Sequence, residues 1–343
     1  MRDGDIWTLH ERIRKMKNFK AFRIYNDKGP IHGRFIDTNL DELACGEVVI
    51  RNQYSDVNYK DALAATGTGK ILKRFPLIGG VDVAGSVAAS SDARFKEGDA
   101  VLVTGYDFGV GHDGGYAEYS RVPADWVVPL PVGLSTFEAM ALGTAGFTAA
   151  LAVERMEHNG LTPASGPVVV SGASGGVGSV AVDILAGRGY QVTAITGKDD
   201  EHDYLRRLGA AEVLSRHTLA MGEKPLEKSL WAGAVDPVGG ATLAWLTRTM
   251  QQHGVIASCG LTGGVEVHTT VMPFILRGVS LLGIDSVQCP MELRRKIWTR
   301  LATDLRPRHL DAMTQTIEFA QLPETLTALL KGVVKGRTVV KIA

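Results

Sequence analysis

The stretch from Val168 to Gly178, Val-Val-Val-Ser-Gly-Ala-Ser-Gly-Gly-Val-Gly, has the residue types and the spacing to hold a pyrophosphate. Val168–Val170 reads as a short buried strand, and beyond the glycines Val180, Ala181, Ile184 and Leu185 share one face of a helix. Glycines at a strand-to-helix junction permit a tight turn and a close approach of backbone to phosphate. The free N–H groups of the helix start then bind the anion. The pattern is Ala173-x-Gly175-x-x-Gly178, with Ser174, Gly176 and Val177 completing the turn. An ordinary glycine-rich connection has no need of a second strand ending about 20 residues on, where a ribose reader belongs. Here Gln191–Thr196 ends at that distance.

Enzymes that select NAD carry Asp or Glu at the end of that second strand, to grip the ribose 2′-hydroxyl. This chain has Thr196-Gly197-Lys198. A hydroxyl, a bare backbone and a cation suit a 2′-phosphate, and Arg216, just beyond the apolar segment Ala211–Leu214, offers a second cation. The competing reading leaves Lys198 in solvent and makes Asp199, Asp200 and Glu201 the ribose readers. We assign those acids instead to the N-terminus of the following helix, whose dipole they favour. The expected cofactor is NADPH.

The elements needed to position such a site fit the length. At 343 residues the chain can build two cores. Lys plus Arg and Asp plus Glu are equal at 37 each, so no net field favours nucleic acid or an anionic membrane. No apolar run reads as a membrane span and no signal peptide opens the chain. The three cysteines, Cys45, Cys259 and Cys289, are odd in number and far apart, which suits a reducing cytoplasm. Met1–Lys15 is polar and precedes a second methionine, and we expect the domain to start near Met16, with a tail before it.

From about Phe19 to Val128 short alternating segments (Glu47–Tyr54, Val81–Ala88, Asp99–Thr104 and Tyr116–Val122) are broken by Gly, Pro and Asp, the mark of an antiparallel β domain. Between Thr136 and Ser286 strands alternate with helices, at Val168–Val170, Val192–Ile195, Ala234–Val235, Val255–Ser258 and Val279–Ile284. That grain predicts a doubly wound parallel sheet. Met291–Leu305 and Pro323–Leu330 read as amphipathic helices and Thr338–Ile342 as a final strand returning to the first domain. The expected division is therefore residues 16–140 and 287–343 in one domain, with 141–286 inserted as the nucleotide domain. Val279–Ile284 would lie at a sheet edge, where an apolar strand invites pairing with a twin and hence a homodimer.

This order, a β domain followed by the glycine loop, resembles the medium-chain dehydrogenase/reductase superfamily, with a GroES-like first domain and a Rossmann second. Four strings narrow the resemblance: Asn58-Tyr59-Lys60-Asp61-Ala62-Leu63, Gly143-Thr144-Ala145-Gly146-Phe147-Thr148, Thr270 to Arg277, and Gly336-Arg337-Thr338. Together they are similar to the zinc-free, quinone oxidoreductase-like acryloyl-CoA reductase (NADPH) branch. The zinc alcohol dehydrogenases of the superfamily place a Cys ligand near this chain's Asp56–Asn58 and a His-Glu pair at its Val81-Asp82, and their structural zinc needs four neighbouring cysteines. No metal is expected here. His112-Asp113, in the glycine-rich loop Gly109–Gly115, reads as a turn.

A metal-free reductase can still saturate an alkene conjugated to a carbonyl, if it orients the acceptor, stabilises the developing oxyanion and controls a proton. Asn58, Tyr59, Lys60 and Asp61 suit those tasks by type, and the resemblance sets them beside the nicotinamide. Tyr59 is then the proton donor or orients the cofactor, Asn58 donates to the carbonyl and Asp61 fixes a neighbour. Alternatively Tyr59 only packs and Asp61 only caps the helix. The resemblance adds Cys259, Gly260, Leu261, Ile284, Asp285 and Ser286 near the nicotinamide, with Cys259 as a filler, not a nucleophile. Arg337 would reach cofactor or a CoA phosphate, or make a surface ion pair. Lys70, Lys73 and Arg74 are a candidate cradle for CoA phosphates. The expected reaction is reduction of a short 2-enoyl-CoA, acryloyl-CoA to propanoyl-CoA. The alternatives are quinone or enone reduction and a non-catalytic dinucleotide-binding protein; a neutral chain without a basic aromatic stripe speaks against RNA.

Overall fold

The computed structural model describes residues 18–27 and 29–343, so the expected tail and the start near Met16 lie outside the described residues. The chain forms two compact units. The first holds the described residues up to Thr144 with Val287–Arg295 and Thr314–Ala343, and the second holds Ala145–Ser286 with Lys296–Met313.

The first unit contains β1 (Phe19–Tyr25), β2 (His32–Thr38), β3 (Val48–Asp56), helix α1 (Tyr59–Thr66), β4 (Leu77–Ile78), β5 (Asp82–Ser90), β6 (Ala100–Thr104), β7 (Tyr119–Val122) and β8 (Val128–Pro129). Strands β2, β1 and β4 make a small sheet, with Phe22 opposite Phe35 and their rings 5.3 Å apart. Val48 and Ile50 of β3, Val83 and Val87 of β5, and Val101 and Val103 of β6 close one core, because alternate residues of a strand share a face. Phe19, Phe22, Ile24 and the alanines of α1 close a second.

Next comes α2 (Thr136–His158), broken at Gly143. It is long and apolar enough to cross a membrane, which corrects the expectation that no such run exists, yet 78% of its most apolar window is buried inside the protein.

In the second unit β9 (Val168–Val170), α3 (Gly176–Gly187), β10 (Val192–Thr196), α4 (His202–Arg207), β11 (Glu212–Ser215), β12 (Trp231–Asp236), α5 (Gly240–Thr249), β13 (Met250–Ser258), α6 (Met272–Arg277) and β14 (Ser280–Gly283) alternate as expected. The sheet is parallel in the order β11-β10-β9-β12-β13-β14, so the reversal of winding falls beside β9, where the glycine loop leaves. Strand β14 is an edge.

Then follow α7 (Met291–Ala302), β15 (Thr314–Glu318), α8 (Leu322–Leu330) and β16 (Arg337–Lys341). Strand β16 pairs antiparallel with β3 through Val340 and Ser55, completing the larger sheet of the first unit. Residues 296–313 do not follow the rest of the tail, against the expected division. Arg300 binds Glu154 and Glu157, Trp298 stacks on Phe147, and the buried Asp183 carboxylate accepts the N–H groups of Arg308 and His309. Those contacts hold the segment in the second unit.

Candidate active site

In the second unit the chain leaves β9 through Ser171 and Gly172, which takes φ +53°, and enters α3 with Gly175 as its N-cap. A Cβ at Gly178 would sit 2.7 Å from the Ala173 Cα, so only glycine permits this approach of helix to turn. The N–H groups of Gly176, Val177 and Gly178, as the first of a helix, have no intrahelical acceptor. Ser174 Oγ meets Thr196 Oγ1 at 2.9 Å, tying the loop to the end of β10, and Thr196 Oγ1 also accepts the Lys198 N–H at 3.0 Å. Arg216 N–H donates to the Thr196 carbonyl at 2.7 Å, and its guanidinium covers Gly197. His217, which the sequence reading passed over, brings Nε2 to 3.0 Å from the Gly197 carbonyl. Asp199–Glu201 form a single 3-10 turn leading into α4. A bare helix start and a hydroxyl, a lysine and an arginine around a glycine fit a dinucleotide with a 2′-phosphate.

Asp236 ends β12 and was also missed; an acid closing an apolar strand is its only sequence signal. It accepts the Gly239 N–H at 2.9 Å, the Val238 N–H at 3.2 Å and the Ser171 hydroxyl, and burial raises its pKa. Cys259 N–H donates to the Asp236 carbonyl at 2.9 Å. Burial, with the Asp236 charge beside it, pushes the Cys259 thiol up to about 12, the state of an inert filler. Gly260 lies against Pro237, whose carbonyl carbon a Cβ would approach to 2.7 Å, and Leu261 projects into solvent. Ile284 N–H donates to the Ser258 carbonyl at 3.0 Å, and Asp285 and Ser286 follow it.

In the first unit a buried polar cluster gathers where β3, α1, β5, the break in α2 and β16 meet. Asp61 is the third residue of α1. Its Oδ2 accepts the Asn58 N–H at 2.9 Å and its Oδ1 the Val81 N–H at 3.0 Å, which joins the helix start to the entry of β5. Burial, despite both bonds, lifts its pKa to about 7. Asp56 is raised well above the usual carboxylate range by burial and by Asp82, against the pull of Arg337. Tyr116 donates its hydroxyl to the Asp56 carbonyl at 2.9 Å. Tyr59, first residue of α1, is 43% exposed, and its hydroxyl has no partner among the described residues.

Three expectations change. Asn58 has no amide hydrogen left for a substrate carbonyl: Nδ2 donates to Asp56 Oδ1 at 2.7 Å and to Asp82 Oδ2 at 2.8 Å. Arg337 is neither a cofactor ligand nor a surface residue. It is 3% exposed, paired with Asp56, with Nε 2.9 Å from the Ala141 carbonyl. In the basic cluster Lys73 pairs with Asp107 at 2.6 Å and Arg74 with Asp113 at 3.1 Å, so two of its three cations are already engaged. His112 and Asp113 bind backbone as well: His112 the Cys45 carbonyl, Asp113 the N–H groups of Ala44 and of Ile78 in β4.

Residues 44–132 match the alcohol dehydrogenase GroES-like domain and residues 176–303 the zinc-binding dehydrogenase domain. The chain belongs to the medium-chain dehydrogenase/reductase superfamily. It is 50% identical to YhfP of Bacillus subtilis, named as a quinone oxidoreductase, over 98% of this chain and 99% of that one. The crystal structure of YhfP with NAD bound gives a TM-score of 0.93, at 48% identity over 95% and 100% of the two chains. Acrylyl-CoA reductase AcuI of Ruegeria pomeroyi is 48% identical over 89% of this chain and 92% of its own. The YhdH oxidoreductase of Salmonella enterica in complex with NADP gives a TM-score of 0.92, with 47% identity over 94% and 100%.

For a member of this superfamily the donor set does not suit a catalytic zinc. Among the described residues no group of three or more His, Cys, Asp and Glu is placed to hold a metal. Asp56 and Asp82 are instead engaged by Arg337, Asn58 and Thr144.

Proposed function

We propose that this chain is an NADPH-dependent reductase of short 2-enoyl-CoA thioesters, converting acrylyl-CoA to propanoyl-CoA. The observation that carries the reading is the cluster behind Tyr59: carboxylates satisfied by protein donors instead of a metal, in a chain 48% identical to an acrylyl-CoA reductase.

Bound NADPH would supply a hydride to the β carbon of the conjugated thioester. The residues do the rest. The N–H groups of Gly176, Val177 and Gly178 hold the pyrophosphate, and Thr196, Lys198 and Arg216 hold the 2′-phosphate. Tyr59, at the exposed start of α1, offers its hydroxyl proton to the α carbon as charge leaves the thioester oxygen. Asp61 pins the helix start that carries Tyr59. Cys259, Gly260, Leu261, Ile284, Asp285 and Ser286 line the nicotinamide end.

The relative YhfP favours a second reading, reduction of a free quinone. A panel of acrylyl-CoA, crotonyl-CoA and a quinone, each with NADPH, separates them. A quinone preferred tenfold in kcat/KM overturns the first reading, and tight NADPH binding with no turnover leaves a non-catalytic binder. We further read the enzyme as a cytoplasmic homodimer acting on neither nucleic acid nor membrane. Cys45, Cys259 and Cys289, none of them in a disulfide, support the compartment, and the edge β14 with its exposed Leu281 supports pairing of two copies. A sedimentation mass of one chain would refute the dimer.

A further inference from the structure

Helix α2 breaks at Gly143, whose φ of +52° and ψ of −158° are far from helical. A Cβ there would collide with the Asp56 carboxylate and come within 2.7 Å of Arg337 Nη2. The break frees backbone groups that the cluster takes up. Arg337 Nε donates to the Ala141 carbonyl at 2.9 Å, and the Thr144 N–H donates to Asp82 Oδ2 at 2.7 Å. The Thr144 hydroxyl donates to the other oxygen, Asp82 Oδ1, at 2.5 Å. Asp82 thus accepts three bonds, two from Thr144 and one from the Asn58 amide. Arg337 Nη1 lies 3.3 Å from Asn58 Oδ1, so every polar atom of that amide is committed.

We propose that Thr144 and Asp82 are positioning residues for the reduction, acting through Asn58 to fix the start of α1 and so the place of the Tyr59 hydroxyl. The proposal rests on the reading of Tyr59 as proton donor. The path is short: Thr144 grips both oxygens of Asp82, Asp82 grips Asn58, and the next residue is Tyr59. A displacement of about 1 Å at a reacting group can cost on the order of 100-fold in rate.

The test compares Thr144→Ser, Thr144→Val and Asp82→Asn with the parent enzyme, with rates normalised to NADPH sites titrated by fluorescence so that misfolded protein does not count. Thr144→Ser keeps the hydroxyl and stays within threefold of the parent in kcat. Thr144→Val and Asp82→Asn lose at least tenfold in kcat, with the Kd for NADPH and the KM for acrylyl-CoA changed less than threefold. Tyr59→Phe combined with Thr144→Val then falls no further than Tyr59→Phe alone. Thr144→Val within threefold of the parent, or losses that multiply in the double variant, would overturn the proposal. Should acrylyl-CoA fail with the parent enzyme, the same comparison runs on whichever acceptor is reduced, so a wrong substrate and a wrong positioning role give different results.

Discussion

Arg216 lies across Gly197, close enough that a Cβ on the glycine would come within 2.6 Å of Nη2. The glycine therefore leaves room for a guanidinium where an NAD-selective enzyme would carry an acid.

Cofactor choice should follow that arrangement. A hydrogen bond to a charged group is worth about 1.5–3 kcal/mol, roughly 10–150-fold in affinity. Arg216→Ala and Lys198→Glu should each weaken NADPH binding by at least tenfold and leave NADH within threefold, as fluorescence titration would show. Equal loss for both cofactors would place the 2′-phosphate elsewhere.

Asp61 makes stability depend on pH with a sign opposite to that of a salt-bridged carboxylate. Its folded pKa, about 7, is above the ordinary 3.8, so the folded state holds the proton longer than the unfolded chain does. Its contribution is complete below about pH 4 and is lost as pH rises from there through 7, a difference on the order of 4 kcal/mol if nothing compensates. Asp56, also raised, acts in the same direction. Lys60 and Asp82 face Asp61 with opposing effects, the lysine lowering and the aspartate raising. Urea midpoints at pH 5 and pH 8 should therefore differ more in the parent than in Asp61→Asn; parallel slopes would contradict this assignment.

Tyr59→Phe removes one exposed hydroxyl and little else. As a positioned acid it should account for about 10²–10⁴-fold in kcat, with NADPH affinity unchanged within threefold. Stopped-flow rates within threefold of the parent would give the proton to water.

Cys259 should resist alkylation. With its thiol pushed up to about 12 it holds almost no thiolate at pH 8, whereas Cys45 is exposed. Iodoacetamide followed by peptide mass spectrometry should label Cys45 first, and Cys259→Ser should keep kcat within threefold. Rapid labelling of Cys259 with loss of activity would restore it as a reactive group.

How much of this was legible beforehand depended on locality. The glycine turn and the Thr196-Gly197-Lys198 end of β10 are written in neighbouring residues, where periodicity and turn chemistry act directly. The cluster behind Tyr59 is not. Arg337 meets Asp56 across nearly the whole chain, and nothing beside either residue announces the pair. An Asn-Tyr-Lys-Asp string shows four polar side chains but not which are spent, and Asn58 could be read as a free donor until Asp56 and Asp82 were seen to hold both its hydrogens. The segment 296–313 was misplaced for the same reason, since its ties to Glu154, Glu157 and Asp183 are long-range ion pairs and caps.

The central claim, hydride delivery to an enoyl thioester without a metal, is tested most directly by isotope transfer. Acrylyl-CoA is incubated with the enzyme and NADPH deuterated at C4 on the transferred face, with a chelator present throughout. The account predicts propanoyl-CoA carrying one deuterium at the β carbon, at a rate the chelator does not change. Unlabelled thioester, or a product that vanishes with the chelator, would contradict it.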